Sequence, residues 1–171
     1  MTRTPHTPRV LYSTAATVAL ALLASFACWA APAQNAAGPL TYRLALKPGD
    51  ITLPAAPSAG TPPAQQQAIT FTVINSSDTD YEGNSPSCQT FDVEILWRAP
   101  GGEQSVWKWS QGQAFCQSVT QVVIPAGLTW QQTVTWNFNA AAVKPGEYRV
   151  AATFIPSEAE ASAEFDLRAS R

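Results

Sequence analysis

"QTFDVEILWRAPGGEQSVWKWSQGQAF", residues 89–115, decides how this chain folds. Phe91, Val93, Ile95 and Trp97 alternate with Asp92, Glu94 and Arg98, the period-two pattern of a half-buried strand. Residues 99–102, Ala-Pro-Gly-Gly, form a hairpin connection, and residues 104–110 return as the partner strand. On that strand Trp107 and Trp109 share one face and Lys108 takes the other. Phe115 follows the Gly112 turn, from where it can fold back over the tryptophans. Each tryptophan has on the order of 200 Å² to bury. An exposed pair would make an apolar patch unusual for a soluble monomer, so the pair is read as core and not as a displayed binding surface.

The same alternation extends outward from this hairpin. Residues 41–46 open a first strand, and residues 68–75 place Ile69, Phe71 and Val73 on one face. Between them, residues 53–67 carry Pro54, Pro57, Pro62 and Pro63 and are expected to be loop or edge, because proline cannot donate to a ladder. Asn75-Ser76-Ser77 reads as a turn held by its own side chains in preference to a glycosylation site. A strand is expected over 119–124. A second, over 128–138, puts Leu128, Trp130, Val134, Trp136 and Phe138 on one face. Tyr148, Val150, Ala152 and Phe154 share a face after the Pro145-Gly146 turn, and Ala163, Phe165 and Leu167 form a last inner row. The expected fold is all-β, an immunoglobulin-like antiparallel β-sandwich of seven to eight strands, with a closed barrel as the alternative.

Of the 171 residues, 46% are hydrophobic and 13% charged, enough to bury a core, and the net charge of −2 argues against a nucleic-acid partner. Arg3, His6 and Arg9 precede an uncharged stretch over 10–31, and Ala31-Pro32-Ala33 supplies small residues for cleavage before Gln34. Residues 1–33 are therefore read as a signal peptide, 34–40 as a linker and 41–169 as the sandwich domain. A retained membrane anchor and a lipoprotein form are the alternatives. Localisation is expected to be secreted, periplasmic or at the cell envelope.

Export leaves Cys88 and Cys116 as the cysteines of the mature chain, and an even pair in an oxidising compartment reads as one disulfide. With the hairpin centred near Gly101 and Gly102, opposed residues sum to about 203, and the two cysteines sum to 204. They are expected to lie opposite one another with Cα atoms within about 7 Å. The one histidine, His6, leaves with the signal, which removes Ser-His and Cys-His pairs and imidazole ligands. Asp92 and Glu94 share a strand face with Arg98, which favours ordinary ion pairing. No catalytic residue, metal or cofactor is expected, and the chain is not read as an enzyme.

The stretch 89–119, with "VIPAGLTWQQTVTW" and "VKPGEYRV" after it, resembles the intracellular proteinase inhibitor (BsuPI) domain family. The matching positions are Phe91-Asp92-Val93, Val106-Trp107-Lys108-Trp109-Ser110, Gly112, Phe115, Trp136 and Pro145-Gly146-Glu147-Tyr148, within residues 69–154. Of these, Phe91, Val93, Trp107, Trp109, Trp136 and Tyr148 are the family-motif core. The resemblance implies an all-β immunoglobulin-like sandwich and a protein partner, a serine protease, with no small-molecule cofactor. The export signal and the two cysteines depart from the family pattern. No reactive-site residue carries over, so candidate loops come from this chain alone: residues 99–102, and Gln111, Gly112, Gln113, Ala114 and Phe115 beside Cys116. The second is favoured because a disulfide would stiffen it. The reading is a secreted binding module of the proteinase-inhibitor kind. Its alternative is a cell-envelope structural or protein-interaction domain without protease inhibition.

Overall fold

The computed structural model describes the backbone of residues 34–37 together with residues 39–54 and 64–170. The signal peptide read over 1–33 lies outside the described residues. Eleven strands follow in chain order: β1 (Gln34–Ala37), β2 (Leu40–Lys47), β3 (Ile51–Leu53), β4 (Ala64–Asn75), β5 (Tyr81–Ser85), β6 (Phe91–Ala99), β7 (Gly102–Lys108), β8 (Thr120–Ile124), β9 (Thr129–Asn139), β10 (Gly146–Phe154) and β11 (Ala159–Ala169). A single 3₁₀ turn, Ile155–Ser157, links the last two. Of the segment 34–40, read as a linker, residues 34–37 form β1 against β2 and Leu40 opens β2.

The strands build one sheet in the order β1-β2-β4-β9, a second in the order β3-β11-β10-β6-β7, and a two-stranded ribbon β5-β8. All pairings are antiparallel except β3 with β11. Alternation dictates what each strand buries. Tyr42 and Leu44, Ile69, Phe71 and Val73, and Val134, Trp136 and Phe138 line the first sheet. Phe91, Val93 and Ile95, Tyr148, Val150, Ala152 and Phe154, and Phe165 and Leu167 line the second. Rings meet between the sheets: Tyr42 and Trp130 on Phe154 at 6.5 and 5.2 Å, and Trp136 on Tyr148 at 6.2 Å. Burial of these rings and branched chains is the main force holding the layers together.

The order β2-β4-β9 against β11-β10-β6-β7 reproduces the A-B-E and G-F-C-C′ sheets of an immunoglobulin-like domain. At the start of β10 the Tyr148 hydroxyl donates to the carbonyl of Lys144 at 2.7 Å. That is the tyrosine corner of such domains, formed here by a tyrosine four residues after its acceptor.

Several local expectations change. Among the described residues there are eleven strands and not seven to eight: β1 and β3, of four and three residues, are too short to carry a periodic signal, and β5 has only Ser85 fully buried. β3 ends at Leu53 and β4 begins at Ala64, so Leu53 and residues 64–67 of the stretch read as loop or edge are strand, and Pro57, Pro62 and Pro63 lie outside the described residues. Gln67 in β4 is buried, its Nε2 donating to the Pro48 carbonyl at 2.5 Å. Leu128 is not an inner residue: it sits in the turn before β9 and is 56% exposed. Trp97 is half-buried beneath Lys144, whose ammonium lies 4.3 Å from the ring centroid. The β6–β7 register sums to 201 near the turn and to 202 beyond a bulge between Ile95 and Leu96, which leaves Val106 unpaired.

Candidate functional site: a disulfide-tied pole of loops

Chain direction gathers one set of loops at one end of the sandwich. Phe91 at the start of β6 pairs with Phe154 at the end of β10, and Trp109, just past β7, bonds back to Val93. The loops flanking β5, the segment after β7, and the 3₁₀ turn therefore share this pole. Tyr42 ties the first sheet to it through Ser157, hydroxyl to hydroxyl at 2.8 Å. Burial holds the Tyr42 phenol above its ordinary range, an effect the Ser157 bond partly offsets. In variable immunoglobulin domains the B–C and F–G loops present at this end.

Asn75 organises the entry to the pole. It is buried, its Nδ2 donates to the Thr79 and Ile124 carbonyls at 2.8 Å each, and its Oδ1 accepts from Ser77. The amide is engaged on both sides, which leaves no room for a glycan, and the turn reading of Asn75-Ser76-Ser77 stands. Gly83 in β5 lets the ribbon close on the pole, since a Cβ there would come within 2.8 Å of Pro156 Cβ.

The favoured loop is fixed at both ends. At its start the Asp92 carboxylate accepts from the Ser110 hydroxyl at 2.7 Å and the Ser110 N–H at 3.2 Å, with Lys108 Nζ at 3.4 Å. Two successive turns follow, Gln111 N–H to Lys108 and Gln113 N–H to Ser110, both 3.1 Å. Gly112 carries φ +81°, a left-handed value that favours glycine. At the far end a disulfide joins Cys116 to Cys88 with Cα atoms 5.2 Å apart, and the Cys88 N–H donates to the Cys116 carbonyl at 3.2 Å. Gln111, Gly112, Gln113 and Ala114 are exposed. Phe115 is half-buried, its ring 5.7 Å from Trp109, which in turn stacks on Phe91 at 4.2 Å. The bridge and the stacking of Phe115 agree with the sequence reading.

The other candidate loop, residues 99–102, lies at the opposite end of β6, so the two candidates do not form one surface. Trp107 pairs with inward-facing Ile95 and, like Trp109, packs half-buried against the core. Phe91, Val93, Trp136 and Tyr148 are fully inside. Arg98 does not pair with Asp92 or Glu94. It reaches Glu103, Glu147 and Glu164, while Arg149 grips Glu103 through Nε and Nη2 at 2.9 and 2.8 Å and Glu160 at 2.9 Å. The Arg149 guanidinium holds the Glu103 carboxyl below its ordinary range. These pairs lace the outer face of β11, β10, β6 and β7.

The sequence reading missed an aliphatic component of the pole. Val119, Val123 and Leu128 are 70%, 46% and 56% exposed on the stretch that follows the bridge. A period-two pattern at β8 shows which residues alternate but not which face is left open. A shallow depression of about 310 Å³ lies nearby, lined by Gln89, Asp92, Glu94, Lys108 and Thr153 among others. Of its acids, Asp92 is engaged with Ser110 and Lys108, which makes it a structural anchor of the loop.

Fold and pole together define an immunoglobulin-like β-sandwich that presents a constrained loop at one end. The chain belongs to the intracellular proteinase inhibitor family, BsuPI, whose model matches residues 57–159, more than half its length. No curated protein matches it. Among solved structures it is similar to a β-glucosidase from Erythrobacter marinus, at 14% identity and TM-score 0.40 over 75% of this chain and 15% of that one. It is also similar to the sporulation control protein Spo0M of Bacillus subtilis, at 11% identity and TM-score 0.45 over 79% of this chain and 51% of that one. A third is the CARDB domain of a Pyrococcus furiosus protein in complex with di-metal ions, at 14% identity and TM-score 0.35 over 86% and 97% of the two chains. The chain thus spans about one seventh and one half of the first two structures.

Proposed function

We propose that this chain is an exported inhibitor that engages a serine protease outside the cytoplasm through the disulfide-tied pole. One observation carries the reading: exposed Gln111, Gly112, Gln113 and Ala114 stand between two anchors, Ser110 on Asp92 and Cys116 on Cys88. A loop already ordered in the free protein loses little entropy on binding. Because Gln111 and Gly112 are locked in turns, the irregular stretch Gln113, Ala114 and Phe115 is the part that enters the cleft. If the peptide bond after Gln113 is cut, both new ends stay tethered, one through Ser110 and one through Cys116. The amine then remains beside the acyl group at high effective concentration, and religation competes with hydrolysis. Exposed Val119, Val123 and Leu128 add apolar surface on the stretch that follows the bridge.

A second reading, an interaction domain of the cell envelope, uses the same surface and is favoured by those exposed aliphatic residues. The chain as recovered after export, shown folded and oxidised, is titrated against a subtilisin-class protease with a chromogenic peptide. Slowed hydrolysis at or below about micromolar inhibitor, equivalent to roughly 8 kcal/mol of binding, supports the inhibitor. Undiminished hydrolysis leaves the envelope domain.

A further inference from the structure

A β-sheet edge presents unpaired N–H and C=O groups, and proteins guard long edges with charges, prolines, bulges or brevity. Three of the four edges of the two large sheets follow that rule. β1 and β3 have four and three residues, and β7 carries Glu103, Lys108 and the bulge opposite Ile95 and Leu96. The fourth does not. β9 runs eleven residues, TWQQTVTWNFN, with no charge, proline or glycine, and among the described residues it pairs with β4 alone. In the immunoglobulin order A-B-E-D a strand D lies beside E, and β9 occupies the E position with no strand among the described residues in the D slot. Gln132 reflects the opening: it lies in the inner row of β9 with Trp130 and Val134 and yet is exposed.

We propose that β9 is a homodimer interface, two copies pairing their β9 strands antiparallel about a two-fold axis to join two four-stranded sheets into one of eight. The occupant follows from the chemistry of the edge. An uncharged strand offers nothing to select a charged peptide, whereas it is complementary to itself. At full overlap, residues across the axis sum to 268. The outer row then sets Thr133 against Thr135, Gln131 against Asn137 and Thr129 against Asn139, and Val134 meets its own copy. No like charges face each other, which is the arrangement that would oppose pairing. The outer face is already set up for hydroxyl pairing, with Thr133 Oγ1 and Thr70 Oγ1 2.9 Å apart across β9 and β4. Thr135 of the second copy extends that contact by one strand. Isologous pairing of this kind closes on itself and does not propagate into fibres.

Sedimentation equilibrium of the exported, oxidised chain tests this over about 1 to 100 micromolar, where mass action shifts a dimer of ordinary strength. Thr133 and Thr135 are both exposed, so Thr133→Lys with Thr135→Lys leaves the fold intact, checked by an unchanged circular dichroism spectrum. It should raise the dimer dissociation constant by about tenfold or more, since like charges then oppose each other across the axis. Mixing that variant with Thr133→Glu, Thr135→Glu should restore a dimer of mixed composition. A wild-type chain monomeric throughout, or a lysine variant that dimerises as well as wild type, overturns the proposal. Protease inhibition by the monomeric variant reads separately on the pole.

Discussion

Ser110 donates its hydroxyl to the carboxylate of Asp92 at 2.7 Å and its backbone N–H to the same group at 3.2 Å. Asp92 sits on β6 and Ser110 two residues past the end of β7, so this pair fixes where the exposed loop leaves the sheet. Lys108 approaches the same carboxylate at 3.4 Å and compensates its charge.

Asp92→Ala removes all of these contacts at once. Loss of bonds to a charged acceptor costs about 2 kcal/mol, so the thermal midpoint should fall measurably. Amide exchange at Gln111 and Gln113 should accelerate more than at Val93 or Ile95, which calorimetry and exchange together would reveal. Equal acceleration everywhere would assign Asp92 to general stability.

The bridge between Cys88 and Cys116 spans 28 residues of sequence, and a loop of that size is worth about 3–4 kcal/mol in the chain-entropy account. Both cysteines are exposed, so a dithiol reductant should reach the bond without unfolding. Reduction should lower the thermal midpoint, and thiol titration of the folded, unreduced chain should find no free groups at these positions.

Tyr148→Phe tests the corner. It deletes one hydrogen bond to the Lys144 carbonyl while keeping a ring of nearly the same shape. The expected loss is about 1 kcal/mol. Because the corner lies at the opposite pole from Cys116, inhibition by the folded variant should equal that of wild type.

Much of the fold was legible because it rests on long alternating runs. Phe91, Val93 and Ile95 on β6, and Tyr148, Val150, Ala152 and Phe154 on β10, repeat often enough to declare their buried face. The cysteine bridge was legible from hairpin arithmetic, since a register error of one or two residues still leaves Cys88 near Cys116. β5 was not. In Tyr81-Glu82-Gly83-Asn84-Ser85 only Ser85 is fully buried, and the strand exists because β8, distant in sequence, pairs with it. Leu128 was misplaced because the Pro125-Ala126-Gly127 turn extends through it, with its N–H bonded to the Pro125 carbonyl. Alternation showed that Asp92 faces outward, but it could not show that the chain past β7 bends back to meet it.

Alkaline pH should destabilise the fold. Burial raises the phenols of Tyr42, Tyr81 and Tyr148 above the ordinary value of 10.0, so the unfolded chain gives up these protons first. A group with a raised folded value contributes fully below pH 10 and loses that contribution as pH rises through the folded value. The thermal midpoint should therefore hold up to about pH 9.5 and fall beyond it, and Tyr42→Phe should soften the fall.

The measurement closest to the central claim is the inhibition constant against a subtilisin-class protease, taken side by side for wild type and for Gln113→Glu, Ala114→Glu. Both positions are exposed, so the variant should melt like wild type. The account predicts micromolar or tighter inhibition by the oxidised wild type, weakened about tenfold or more in the variant, a loss of roughly 1.4 kcal/mol or greater. Inhibition unchanged by the two substitutions, or absent from the folded wild type, would contradict it.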